Sequence, residues 1–166
     1  MLLSEPCALK QGNLLTTFKK VHEEYFVQFD LFPLEHPRSF FNIVHFTTGG
    51  NYGPLGTRIP GVWMNDVLYF SSGINDKGDF GTYGDNTKIP LRQWAKIEIA
   101  QKKYGAGIYI YSIVINSRPI FQVMNSKPRF FNDVKLYVAD GWFPAHKGYI
   151  RNLYVEGYEL NATSEF

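Results

Sequence analysis

The chain has 166 residues, 45% of them apolar, 17% aromatic and 19% charged, with a formal net charge of +2. That length suits one domain with a real core, and charges so nearly balanced exclude a protein that tracks phosphates with clustered Lys and Arg, so no nucleic-acid partner is expected. No apolar run reaches the length of a secretory h-region or a membrane span, so no membrane insertion is expected. The single cysteine, Cys7, closes no internal disulfide.

High aromatic content together with 15 Gly and 9 Pro favours strands and turns. Residues 1–11 read as a flexible end, and a first strand is expected in Gly12–Val21. "YFVQFDLF" (Tyr25–Phe32) alternates, with Tyr25, Val27, Phe29 and Leu31 on one face and Gln28 and Asp30 on the other. Pro33 should stop it. "FFNIVHFTT" (Phe40–Thr48) follows and ends at Gly49-Gly50. "RIPGVWMND" and "VLYFSSGI" form a hairpin about Asn65-Asp66, and "GDFGTYGDN" is a short glycine-rich strand and loop. "QWAKIEIAQ" (Gln93–Gln101) sets Ala95, Ile97 and Ile99 against Lys96 and Glu98. "GIYIYSIVINS" (Gly107–Ser117) is apolar on both faces, as a central strand is. "PIFQVMNS", "FNDVKLYVAD" and "YIRNLYVEGYEL" complete about ten or eleven strands. Turn signals at such short spacing, with no convincing amphipathic helix, predict one all-β domain, 12–160, and a tail, 161–166. The expected architecture is two packed antiparallel sheets.

Two stretches resemble laminin-G-like domains. "QWAKIEIAQKKYGAGIYIYSIVINSRPIFQV" is similar to the middle of that family, where a Trp opens a strand, a hairpin follows and the next strand ends in a short turn, here Ile115-Asn116-Ser117. "VKLYVADGWFPAHKGYIRNLYVEG" is similar to its C-terminal end, centred on Gly148-Tyr149-Ile150-Arg151-Asn152-Leu153. Tyr149 stands where many laminin-G domains carry a cysteine, so the family disulfide is missing. The resemblance therefore implies the wider concanavalin A-like superfamily and an antiparallel β-sandwich of jelly-roll type. That superfamily holds lectins, pentraxins, galectins and glucanases.

The residues argue against catalysis. Glycoside hydrolysis needs two carboxylates flanking the scissile bond, and the chain has no compact acidic run to supply them: Glu98 stands alone on its strand, and Glu23 and Glu24 point opposite ways. His22, His36, His45 and His146 lie in no nucleophile motif, and no His or Cys pair has zinc-ligand spacing. His45 reads as a packed histidine at the edge of the core. Calcium is the one cofactor the resemblance brings in. It implies a rim site with Asp85 or Asn86 on one side and the loop Gly141–Lys147 on the other, although His146 and Lys147 replace the usual acceptors there. The alternative for "GDN" is a plain turn.

Glycan recognition needs aromatic faces plus polar groups. The loops supply Tyr52, Phe80, Tyr83, Trp142 and Phe143, with His146 beside the last two, while Tyr109 and Tyr111 are candidates on the sheet surface and Trp63 and Trp94 are expected in the core. The function read from the sequence is a non-enzymatic extracellular, secreted recognition module whose partner is a glycan or a protein surface, in the manner of cell-adhesion domains. Two rivals are an oligomerising structural sandwich, with the chain as a homo-oligomer, and a divergent glycoside hydrolase. Asn161-Ala-Thr163 matches a glycosylation sequon and agrees with secretion.

Overall fold

Eleven antiparallel strands and one 3-10 turn, Asp85–Thr87, make up the computed structural model, which describes residues 1–161. The strands are β1 (Cys7–Ala8), β2 (Leu14–Pro33), β3 (Phe41–Thr47), β4 (Gly61–Asn65), β5 (Val67–Ile74), β6 (Lys77–Thr82), β7 (Ala95–Gly105), β8 (Ile108–Ile115), β9 (Arg118–Asn125), β10 (Phe131–Val138) and β11 (Gly148–Leu160). Among the described residues no helix is long and apolar enough to cross a membrane.

The early strand and Tyr25–Phe32 are one 20-residue strand, β2. No Gly, Pro or Asn separates them, only His22-Glu23-Glu24, so nothing breaks the extended backbone. Along one side β2 pairs first with β10, through Leu14 to Val21, and then with β7, through Tyr25 to Leu31. Along its other side β11 pairs from Phe18 to Pro33. The strand thus joins the two halves of one continuous sheet, in place of the two separate sheets expected, and the order runs β6-β5-β4-β3-β10-β2-β7-β8-β9, with β11 and β1 branching from β2. The free edges approach each other. Phe80 on β6 lies 5.9 Å from Phe121 on β9, and Asn75 Nδ2 donates to Met124 O at 2.9 Å. The outcome is a nearly closed antiparallel jelly roll.

Alternation places the core as expected. Tyr25, Val27, Phe29 and Leu31 are all buried, beside Ile97 and Ile99 of β7 and in one core with Val62, Met64, Leu68 and Phe70. Each such side chain contributes roughly 1.5–3 kcal/mol on leaving water. The Tyr25 hydroxyl bonds Ser72 Oγ at 3.2 Å inside this core, and burial pushes its phenol up to about 12. Turn chemistry also follows the sequence. Asp66 (φ 61) closes the β4–β5 hairpin, and Asn116 and Ser117 (φ 50 and 64) make the primed-type turn between β8 and β9.

β8 differs from expectation. It lies between β7 and β9, next to an edge, and only Tyr111, Ile113 and Ile115 on its inner face are fully enclosed. Trp94 was expected inside a strand of the core. It precedes β7, half-buried, under the Arg151 guanidinium at 4.0 Å and beside Phe32 at 5.2 Å. Residues 1–11, expected as a flexible end, run along the outer edge of β11. Cys7 and Ala8 pair with Ile150 and Tyr149, the Leu2 N–H donates to Leu153 O at 2.7 Å, and Leu9 is buried. The edge of β11 offers unpaired backbone groups, and this segment takes them. Of the expected tail, residues 162–166 lie outside the described residues, Thr163 of the sequon among them. Asn161 Nδ2 donates to Thr17 O at 3.0 Å.

Candidate functional site

The loop after β10 is built around Asp140, which is fully buried. Its Oδ1 accepts the N–H groups of Trp142 (3.0 Å) and Phe143 (2.9 Å), an Asx-type bend that turns the chain. Its Oδ2 meets His45 Nδ1 at 2.8 Å, and His45 Nε2 meets the Thr57 carbonyl at 2.7 Å. Both ring nitrogens face acceptors, so the ring is held at two points, by the rim loop and by the Thr57 carbonyl. The His45 expected at a core edge is therefore the post to which the rim loop is tied. The loop then lies along β3, with the Asn42 N–H donating to Pro144 O and the His146 N–H to Asn42 O.

This loop borders the outer face of β3, β4 and β5. On β4, Val62 and Met64 point into the core, so Gly61 and Trp63 point out; on β5, Leu68 and Phe70 point in, so Tyr69 and Ser71 point out. Trp63 and Tyr69 are cross-strand partners, 6.2 Å apart between ring centroids. Glycine makes room for both rings. A Cβ on Gly61 would overlap the Trp63 indole, and one on Gly81 of β6 would overlap the Tyr69 hydroxyl. Phe40 (5.2 Å from Tyr69), Phe143 (5.9 Å from Trp63) and Tyr83 (5.3 Å from Tyr69) extend the aromatic surface. Arg58 completes it. Its guanidinium lies 4.4 Å from the Trp63 ring and 5.3 Å from Tyr52, held by Nε donating to Asn51 O at 2.9 Å. Burial pulls the guanidinium below its usual value, partly offset by Tyr69 and Asp79. Burial also pushes the Tyr69 phenol up, against the pull of Arg58.

These residues bound two adjoining cavities of about 210 Å³ and 390 Å³. Phe40, Tyr52, Arg58, Trp63, Tyr69 and Phe143 line the first; Phe40, Asn65, Val67, Tyr69 and Tyr83 line the second. Among the described residues, neither is lined by a carboxylate.

Of the expected site residues, the structure brings Tyr52, Tyr83 and Phe143 together around this groove. Tyr52 and Tyr83 are two-thirds exposed, at 66% and 67%. Trp142 is also exposed, at 45%, and packs edge-on to His45 (5.5 Å) and Tyr137 (5.9 Å) beside the groove. Three expectations are corrected. Phe80 points inward from β6 against Phe121, because alternation puts it in phase with the core. Tyr111, offered for the sheet surface, is fully buried, whereas Tyr109 on the same strand is half-buried. His146 is buried, with Nε2 at 2.9 Å from the Glu35 carbonyl, and serves the loop instead of a ligand. Asp85 and Asn86 sit in the 3-10 turn, where Asn86 Nδ2 donates to Ile120 O at 3.1 Å. Among the described residues no group of three His, Cys, Asp or Glu side chains gathers to hold a metal.

Arg58, Phe40, Trp63 and Tyr69 were missed as site residues. A signal for them existed: in the β4–β5 hairpin, Trp63 and Tyr69 are out of phase with Val62, Met64, Leu68 and Phe70, so one aromatic pair had to face away from the core.

His146 carries a pH prediction. Burial lowers its affinity for a proton, helped by His36 and opposed by the carbonyl and carboxylate of Glu35. The unfolded chain takes up that proton near pH 6.5, so below that pH it binds more protons than the fold does. Stability should then fall as pH drops, by at most about 1.4 kcal/mol per pH unit for one proton. Urea unfolding at pH 7 and pH 5 checks this. His146→Gln, which keeps a donor toward Glu35 O, should show a shallower loss; an equal loss in both proteins would discount His146.

No protein-family model matches the chain, and no curated protein sequence matches it. Solved structures do resemble it. A heptameric SAP-like pentraxin from Limulus polyphemus aligns at TM-score 0.59 and 14% identity, over 89% of this chain and 70% of that one. Domain 4 of AbnA, an extracellular arabinanase from Geobacillus stearothermophilus, solved with arabinotriose, aligns at 0.55 and 17%, over 88% of this chain and 66% of that one. An endo-β-1,4-glucuronan lyase from Trichoderma reesei aligns at 0.51 and 12%, over 82% and 61%. Identities this low show the fold alone: an antiparallel jelly roll, shared by a pentraxin, a domain of an arabinanase and a polysaccharide lyase.

Proposed function

We propose that the protein is a non-enzymatic recognition module that holds a glycan in the groove on the outer face of β3, β4 and β5. The observation that carries this is one sheet face on which Trp63, Tyr69, Phe40, Phe143, Tyr52 and Tyr83 bound two adjoining cavities. Sugars present C–H faces that stack on such rings and hydroxyls that bond the phenol and guanidinium groups between them. The saccharide-bound arabinanase domain supports the reading by fold analogy. Hydrolysis by two carboxylates has no support in the groove, because neither cavity is lined by one.

A glycan array followed by titration calorimetry tests the reading, with EDTA present in one arm to separate any calcium effect. Tyr83→Ala and Tyr52→Ala remove exposed rings, so folding should be unchanged. Each should weaken binding by about 1–2 kcal/mol, roughly 5- to 30-fold. Bound oligosaccharides are expected back intact by mass spectrometry. Shortened chains would point to catalysis, and wild-type affinity in both variants would place the ligand elsewhere.

A further inference from the structure

Arg58 is 7% exposed, yet among the described residues it makes no ion pair with any carboxylate. A buried guanidinium is expected to be paired, because taking the charge out of water is costly unless an anion answers it. Its partners are all uncharged: Nε donates to Asn51 O, Nη1 reaches Ser71 Oγ only at 3.4 Å, and the Tyr69 hydroxyl is the remaining side-chain acceptor. The Trp63 indole N–H is buried without a partner. Asp79 acts on Arg58 through space but is not within ion-pair distance. The side chain is clamped between Trp63 and Tyr52 and lines the 210 Å³ cavity. It is thus a fixed cation, supplied with donors and walled by rings, at one end of a groove open at the other.

We infer that Arg58 receives the carboxylate of an acidic sugar, so that the ligand class is a uronic-acid-containing saccharide. The guanidinium fork matches a carboxylate in plane and in spacing. A pyranose bearing that carboxylate places its C–H face on Trp63 or Tyr69, and the next residue of the chain extends over Phe40 toward Tyr83 in the second cavity. This inference rests on the groove being the glycan site.

The test compares the full chain's affinity for oligosaccharides of galacturonate, glucuronate, mannuronate and guluronate with their carboxyl-reduced, neutral counterparts and with a sulfated neutral oligosaccharide. At least one uronate is expected to bind tenfold or more tighter than its reduced form. That advantage should shrink with added salt. Arg58→Lys, shown to be folded by its melting curve, should lose most of the advantage, read as the ratio of uronate to neutral affinity within the variant itself. The wild-type comparison stands even if the variant does not fold. Equal affinity for a bound uronate and its reduced form would overturn the inference but leave the groove reading intact. Preference for the sulfated sugar alone would also overturn it. Binding of no oligosaccharide in any arm, with Tyr52→Ala and Tyr83→Ala equally silent, would overturn the groove reading itself.

Discussion

Replacing Asp140 with Ala is expected to destabilise the protein by about 3–5 kcal/mol, because several donors lose their acceptor at about 1–3 kcal/mol for each one left buried. For a domain of this size that corresponds to a fall in Tm of roughly 6–20 °C. The reason lies in the count of bonds lost. Asp140 and His45 are both fully buried, and the carboxylate serves three donors at once: His45 Nδ1 and the N–H groups of Trp142 and Phe143. Its removal orphans the buried His45 nitrogen and the two part-buried loop N–H groups. Asp140→Asn keeps an oxygen for the two loop N–H groups but gives up the charge, so it should cost less. His45→Ala combined with Asp140→Ala should cost less than the sum of the two, because the pair is one interaction. A thermal scan and urea titration of the four proteins decide it; additive losses would mean the pair does not act as a unit. The Asp140 variant should also loosen Phe143 and so weaken ligand binding in the groove.

Gly61→Ala is expected to abolish most of the groove while leaving the sheet in place. A Cβ at this position overlaps the far edge of the Trp63 indole, a rigid ring that cannot turn aside within its own strand. Either the ring lifts into the 210 Å³ cavity or β4 shifts against β3 and β5, with which Gly61 pairs at His45 and Ser71. Overpacking of this kind costs about 1–3 kcal/mol. A lifted indole would fill the site that Arg58 lines, so affinity should drop by at least about tenfold, equivalent to about 1.4 kcal/mol. Near-ultraviolet circular dichroism, the urea midpoint and calorimetric affinity are the readouts. Gly81→Ala tests the same idea at Tyr69. Gly105→Ala is the control, because a Cβ there meets open space. Wild-type affinity in Gly61→Ala would mean the indole does not form the floor of the site.

The fold was largely legible because a strand's period-two pattern is local. Tyr25, Val27, Phe29 and Leu31 sort themselves to one face with no knowledge of what lies opposite, and Asn65-Asp66 and Asn116-Ser117 announce their turns by residue type. Continuity was harder to see. That β2 runs unbroken through His22-Glu23-Glu24 goes with β11 pairing on both sides of that stretch, from Phe18 to Pro33, and those partners lie more than a hundred residues away.

The site was legible only in part, for the same reason. Tyr52, Tyr83 and Phe143 stood out as aromatics beside glycine and proline. Phe80 shares that composition but faces inward, in phase with the core of β6 and against Phe121 of β9. His146 sits in a polar-looking loop, yet Glu35 and Gly148 close over it. Arg58 looked ordinary because its meaning is a missing partner, and no sequence displays an absence in space. What the sequence by itself determined is the strand pattern, the core faces, the turns and the all-β class, since these follow from alternation and backbone preference within a few residues. Which outward-facing rings converge, which histidine is tied to Asp140, and which cation is left facing a cavity were decided by tertiary structure, because each depends on strands brought together from distant parts of the chain.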